Sequence, residues 1–412
     1  MTASLSAPTQ RAAWLEQWLS QLPAASGALA AVQQRGRAAL AQQGVPSSRS
    51  EDWRFTDLSL LQALPLAAAQ PAQPTLAAGG SVLRLQLDGQ SDPLAGVTLP
   101  AGLEVLSEAE LAQGLGHTLA ATGCQQHWPV ELNQASATQV LALRVKSRAS
   151  AALELVSASA GGMLPLRILL VLEEKAQLDL SQLIEARAAG LVSLVIEAHL
   201  ARSAQLRHGL VAFGQSDAAL FSHIAVEQEP ESQAALSNVA AGWGLARHEP
   251  RLVQVQGQAH SLLRGLQLVG GQQIADTHSF VQFSGPEGEL DQVHKAVAAG
   301  QGRSVFNGAV RVPREAQQTN AAQLSRNLLL SDRARIDTKP ELEIVADDVK
   351  CAHGATVSSL QTDELFYLQS RGIGAEQAAG LLKRAFCEEV LRALPEPARQ
   401  WCPLDQLELE SA

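Results

Sequence analysis

Leu166-Arg167-Ile168-Leu169-Leu170-Val171-Leu172 is the stretch on which the fold turns. It is strand-length, carries a charge, and is far shorter than the roughly 20 apolar residues that span a bilayer. Similar runs surround it: Val140 to Val145, Leu153 to Val156, Leu191 to Ile196, Leu206 to Phe213, Leu252 to Val255 and Leu262 to Val269. Gly, Asn, Asp or Ser breaks them every few residues, and no convincing long helix interrupts the series. Aromatic residues make up only 4% of the chain, so stacked Val, Leu, Ile and Ala must fill the interior. A narrow solenoid needs that kind of filler. At about 20 residues per coil, the region up to His353 holds on the order of ten coils of a parallel β-helix, whose end coils other elements must cap.

Helical patterns flank this region. Trp14, Trp18 and Leu22 recur every four residues and draw one apolar stripe along a helix that Pro23 ends. Ala28 to Gln42 predicts a second helix, stopped by Gly44 and Pro46. Pro65 to Gly80 is rich in Ala, Gln and Pro and reads as an irregular connection, and Ser81 to Leu87 as a strand. Beyond Ser358 the helical period returns. Thr362 is the expected N-cap of a short helix with Asp363 and Glu364 in its first turn, and Gly372 marks its stop. From Ala375 to Leu394, the residues Ala378, Leu381, Leu382, Ala385, Phe386, Val390, Leu391 and Leu394 form one apolar face, ended by Pro395 and Pro397. That face either caps the last coil or meets a partner. The expected division is 1–130, a mixed and largely helical region; 131–357, the β-helix core; and 358–412, a helical region.

Composition narrows the function. With 31 basic and 41 acidic side chains the net charge is −10, which argues against a general binder of nucleic acid or anionic membrane. Four cysteines in 412 residues are too few for a disulfide scaffold and fit a reducing compartment. The first residues lack both a secretory pattern and an Arg-rich, acid-poor leader, so a cytoplasmic location is expected. No G-x-x-x-x-G-K-[ST] occurs, and Gly300-Gln301-Gly302 lacks the lysine of a phosphate cradle. G-x-S-x-G and H-E-x-x-H are absent as well.

Asp347-Asp348-Val349-Lys350-Cys351-Ala352-His353-Gly354-Ala355-Thr356 places a thiol and an imidazole two residues apart. On a strand, the period of two points both donors to one side, toward one metal or one partner surface. The segment lies within a longer similarity. Ser304-Val305-Phe306-Asn307-Gly308, Gln318-Thr319-Asn320, Asn327 to Ser331, Asp337 to Ile344 and Leu365 to Ile373 resemble the SufB/SufD family of iron–sulfur cluster assembly proteins, most closely its SufD branch. Ser50 to Leu58 resembles that family's N-terminal signature, and Glu131-Leu132-Asn133-Gln134-Ala135 the start of its core. The Cys351 and His353 pair marks the SufD branch off from SufB, where the segment resembles L-E-H-E-A.

The resemblance implies a right-handed parallel β-helix in a non-catalytic scaffold subunit. It implies pairing with SufB, or a homodimer in isolation, and docking of the SufC ATPase on C-terminal helices, here through Leu365, Phe366, Tyr367, Leu381 and Phe386. It also implies transient iron or a nascent iron–sulfur cluster at His353, with Cys351 as its companion, absent from the isolated chain. ATP binding would act at a distance, by moving those helices. Two departures limit the carry-over: relatives often show a histidine where Phe283 stands and a cysteine within Gly285 to Glu289.

Other candidates read more plainly. Cys124-Gln125-Gln126-His127 has no second pair nearby to complete a tetrahedral zinc site and reads as a structural or surface pair. Asp276-Thr277-His278 and His294-Lys295 read as polar caps at coil edges. The competing functions are a β-helix enzyme acting on polysaccharide through Asp276, Asp337 or Asp347, and a purely structural paralogue that stabilises SufB.

Overall fold

A computed structural model describes residues 7–75 and 82–401. The expected strand start at Ser81, the last part of the expected irregular connection and the extreme ends of both terminal regions lie outside the described residues. The centre is a parallel β-solenoid of about eight turns with helices toward both ends of the chain. Its strands fall into two nine-stranded sheets, and each coil gives one strand to each. In one sheet Ser150, Gln177, Gln205, Gln233, His260, Glu289, Asn320 and Lys350 are successive register partners, so a coil takes 27 to 31 residues. The coils are therefore longer and fewer than expected. Two strands of about ten residues face each other with short turns between, where a coil of about 20 residues would hold shorter strands.

The repeat that the sequence hides is a backbone one. Arg148, Lys175, Ser203, Glu231, Gln258, Glu287 and Gln318 all take a left-handed conformation, with φ between 55° and 64°. Each occupies the same turn of successive coils, and its N–H donates to a carbonyl one coil on, as from Lys175 to Arg202 and from Ser203 to Pro230. A non-glycine residue is strained in that region. The inter-coil hydrogen bond, repeated along the stack, offsets the strain, and because side-chain identity there is free no sequence motif records it.

In one sheet the inward rows of the early coils are aliphatic, as in Ile168, Ile196 and Ile224, which are at most 2% exposed, while in the other His208 and Gln182 are buried among leucines. Later coils depart from the expected Val, Leu, Ile and Ala filling. Gln323 Nε2 donates to Gln292 Oε1 at 3.0 Å, and Gln292 Nε2 to Ser279 Oγ at 2.7 Å. His294 is buried and stacks on Phe306 at 4.4 Å. Phe283, one of the two departures from the resemblance, is buried and fills the interior between the sheets.

The helices of both flanking regions lie on outer faces of the solenoid, while Leu94, Val97, Leu99 and Leu103 pack against its first coil. Helices Ala7–Gln21 and Ala28–Gln43 end where Pro23 and Gly44 predict. Trp14 and Trp18 stack at 6.1 Å inside an apolar cluster that reaches Phe221 and Leu245 on the sheet. At the other terminus the short helix is Thr362–Ser370, with Gln361 rather than Thr362 in the cap position. Helix Ala375–Ala393 does not cap the last coil. It runs back along the outer face, where Cys387, Val390, Leu391 and Leu394 pack on Val211, Val239 and Leu266. Small residues make room for the segment that follows: a Cβ on Gly209 would lie 2.4 Å from Pro395 Cδ, and Ser181 Oγ accepts from the Ala398 N–H. The buried stripe is consequently rotated from the expected one, leaving Leu381 and Ala385 exposed.

Candidate functional site

The solenoid ends in two strands that are hydrogen-bonded on one side only. Arg335–Ile344 closes the order of one sheet and Lys350–Ser359 that of the other. Cys351 and His353 lie on the second of these, on inward-facing rows. Leu153, Leu180, His208, Leu236, Leu263, Gln292, Gln323 and His353 succeed one another in register, and the members before His353 are buried. His353 is exposed because no further coil follows it, although its row faces the interior. Cys351 continues the row of Leu290 and Ala321 and packs half-buried against the same core. The expectation that both donors share one side is met, and the side is the mouth of the solenoid.

Burial raises the Cys351 thiol above its usual range, although a backbone hydrogen bond from Ala321 works against this, so Cys351 stands as a thiol at neutral pH. A metal would have to displace that proton in order to bind. Around the mouth Ile344, Val345 and Val357 are 39%, 51% and 48% exposed, an apolar rim beside unpaired backbone donors and acceptors. Exposed edges of this kind pair with another chain.

The expected partner-binding residues divide. Phe366, Tyr367 and Leu381 are 70%, 57% and 44% exposed, whereas Leu365 is half-buried. Phe386 is half-buried against the solenoid, its ring 5.0 Å from Lys295 Nζ. Lys295 donates to the Phe386 carbonyl at 2.7 Å and pairs with Glu389 at 2.8 Å, so it anchors this helix instead of capping a coil edge.

Asp276, Thr277, His278 and His294 are likewise mid-strand residues, not edge caps. Asp276 pairs with Arg247 at 2.8 Å and with His278 at 3.0 Å, and accepts a short hydrogen bond from Thr56 of the N-terminal signature. Arg247 lies 4.0 Å above the Trp53 ring, so the signature is fastened to the outer face through this pair. Asp337 pairs with Arg303 at 2.7 Å and with Arg335 at 3.0 Å. Two of the three carboxylates proposed for polysaccharide chemistry are thus engaged by arginine. Cys124 is buried in an apolar cluster and pushed up to about 12 by burial, away from ligand chemistry.

Residues 130–386 match the family model described as the SufBD core domain of SUF system FeS cluster assembly. A Synechocystis protein named as an iron–sulfur cluster assembly SufBD family protein is 33% identical over 381 residues, 85% of this chain and 84% of the relative. The Arabidopsis thaliana protein named ABCI7, chloroplastic, is 40% identical over 205 residues, 49% of this chain and 42% of that protein. The Escherichia coli protein named SufD is 33% identical over 197 residues, 48% of this chain and 46% of the relative.

Proposed function

The chain belongs to the SufBD family of iron–sulfur cluster assembly proteins and is most like SufD within it, and on that premise we propose that it is a non-catalytic scaffold subunit whose open solenoid end pairs with SufB. His353 and Cys351 then become ligands, at the shared interface, for iron or a nascent cluster that is cargo rather than a resident cofactor. One observation carries the reading. The two donors stand on inward rows at a mouth that the described residues leave uncovered, ringed by Ile344, Val345 and Val357. A second solenoid docking there would satisfy the free strand edges and bury the rim. It would also enclose the donors without filling their coordination, as a loosely held cluster requires.

The exposed Phe366, Tyr367 and Leu381 form the docking surface for SufC. Because Lys295, Phe386 and Glu389 tie the long helix to the outer face, movement of a bound ATPase would pull on the solenoid itself. The complex would work in the cytoplasm; among the described residues no helix is long and apolar enough to cross a membrane.

Iron and sulfide reconstitution of the co-purified subunit complex tests the site. His353→Ala should keep the complex assembled while the cluster formed falls about ten-fold or more, a loss of the size expected when metal-site residues are changed. Cys351→Ser should have a smaller effect. Full cluster assembly by an intact His353→Ala complex would leave the purely structural paralogue as the correct reading.

A further inference from the structure

Far from the mouth, the outer face of the other sheet brings together His127, His223 and Glu249. His223, on strand Ala218–Gln228, and Glu249, on strand Leu245–Gln254, are direct register partners, so both side chains stand on the same face one coil apart. His127 arrives from the N-terminal region, where it is the N-cap of helix Trp128–Ser136. Glu249 Oε2 lies 3.0 Å from His127 Nδ1 and 3.5 Å from His223 Nδ1, with the two rings edge to face at 5.9 Å. Tetrahedral donors each about 2.0–2.1 Å from a zinc ion stand about 3.3 Å apart, so these spacings fit one ion between the three groups.

One observation beyond this spacing points to a ligand. The His223 side chain is 1% exposed, yet among the described residues Nε2 has no hydrogen-bond partner and Nδ1 has only the long 3.5 Å contact to Glu249. A polar group so deeply buried normally has one. Glu249, in turn, is divided between two tasks: Oε1 accepts from Arg247 Nε at 2.5 Å, leaving Oε2 to the imidazoles. Arg247 is also paired with Asp276, and Arg251 lines the same cleft, so the two arginines balance the two carboxylates and the histidines supply the neutral donors. A cleft of about 350 Å³, lined by Gly44, Pro46, Trp53 and His127, opens onto the cluster and gives an ion a way in.

The geometry points to a site for a single first-row divalent cation of the zinc or ferrous type, held by His127, His223 and Glu249 with a fourth position facing the cleft. Two imidazoles and one carboxylate suit those borderline ions. The Cys124-x-x-His127 spacing therefore contributes one donor, and the other two come from about 100 and 120 residues further along the chain, because the solenoid stacks them beneath the helix.

Cobalt(II) titration of the full-length chain tests this, with the double variant Cys351→Ser/His353→Ala as a second background to separate it from the mouth. One equivalent should bind in both backgrounds, with visible d–d bands and no thiolate charge-transfer band. His127→Ala removes a ring that is 31% exposed, and should weaken binding about ten-fold or more without lowering the melting temperature. His223→Gln, checked for folding in the same way, should do the same. Absence of binding at micromolar cobalt would overturn the assignment. So would binding that survives His127→Ala in the Cys351→Ser/His353→Ala background. None of these outcomes bears on the proposed role of His353.

Discussion

At the N-terminal end of the solenoid Leu94, Val97, Leu99 and Leu103 pack on the first coil, and Leu85 and Leu141 beneath them are 1% exposed. At the other end Leu342 and Cys351 are half-buried, while Ile344 and Val357 lie open. Both ends are cut from the same repeating stack, so what differs is the covering. Leu83–Gln86 and Leu103–Val105 are the outermost strands at the closed end, as Arg335–Ile344 and Lys350–Ser359 are at the other, but at the closed end Leu94, Val97 and Leu99 pack over the core. Within one architecture, a covered end is structural and an uncovered one is available for association.

The largest expected effect contrasts the two ends directly. Leu143→Ala removes a side chain buried among the first coils and should cost about 2–5 kcal/mol of unfolding free energy. Leu342 continues the same inward row, through Leu170, Ala198, Val226, Leu252, Val281 and Val310, but at the mouth. Leu342→Ala should therefore cost less than about 1 kcal/mol, since little transfer from water is lost there. Equal losses in urea melts would mean that the isolated chain already covers its mouth, for example by dimerising.

A second contrast concerns the interior rows themselves. His208 sits between Leu180 and Leu236, and burial drives its imidazole down to about 4. Above about pH 6.5 neither the folded nor the unfolded form binds a proton there. As the pH falls from about 6.5 toward 4 only the unfolded chain takes one, so stability drops by about 1.4 kcal/mol per pH unit and then levels. His208→Leu completes an aliphatic row and should lessen the slope there by about 1.4 kcal/mol per pH unit, leaving the shares of the buried His223, His248 and His294. An unchanged slope would show that His208 is protonated or solvated in the folded chain.

The smallest effect on folding belongs to the rim. Val357→Lys should leave the melting temperature of the isolated chain within about 1 °C, as surface substitutions usually do. If the proposed pairing with SufB at the mouth is right, the same change should weaken co-purification with that subunit at least about ten-fold, because a charge would be buried without a mate. Unaltered association would move the interface away from the mouth and dissolve the functional contrast between the two ends.

Much of this was legible from local pattern. Strand-length runs, the stops at Pro23 and Gly44 and the spacing of Cys351 and His353 each depend on neighbours a few residues away, which is what a linear pattern records. The length of a coil was not legible, because a turn held by backbone hydrogen bonds at Lys175 or Ser203 asks nothing of the side chain. Nor was the rotated face of the last long helix, since Gly209 and Ser181, which seat the segment after it, lie nearly 200 residues before it.

The sequence by itself determined that this chain builds a stacked β core between helical flanks and carries a thiol and an imidazole on one side of its last strand. Only the tertiary structure decided that this side is the mouth of the solenoid and that His127 meets His223 and Glu249. Parallel coils place residues one turn apart in contact while keeping them almost 30 positions apart in sequence. Adjacency across the stack is therefore a property of register, which is set by the packing of all the coils together.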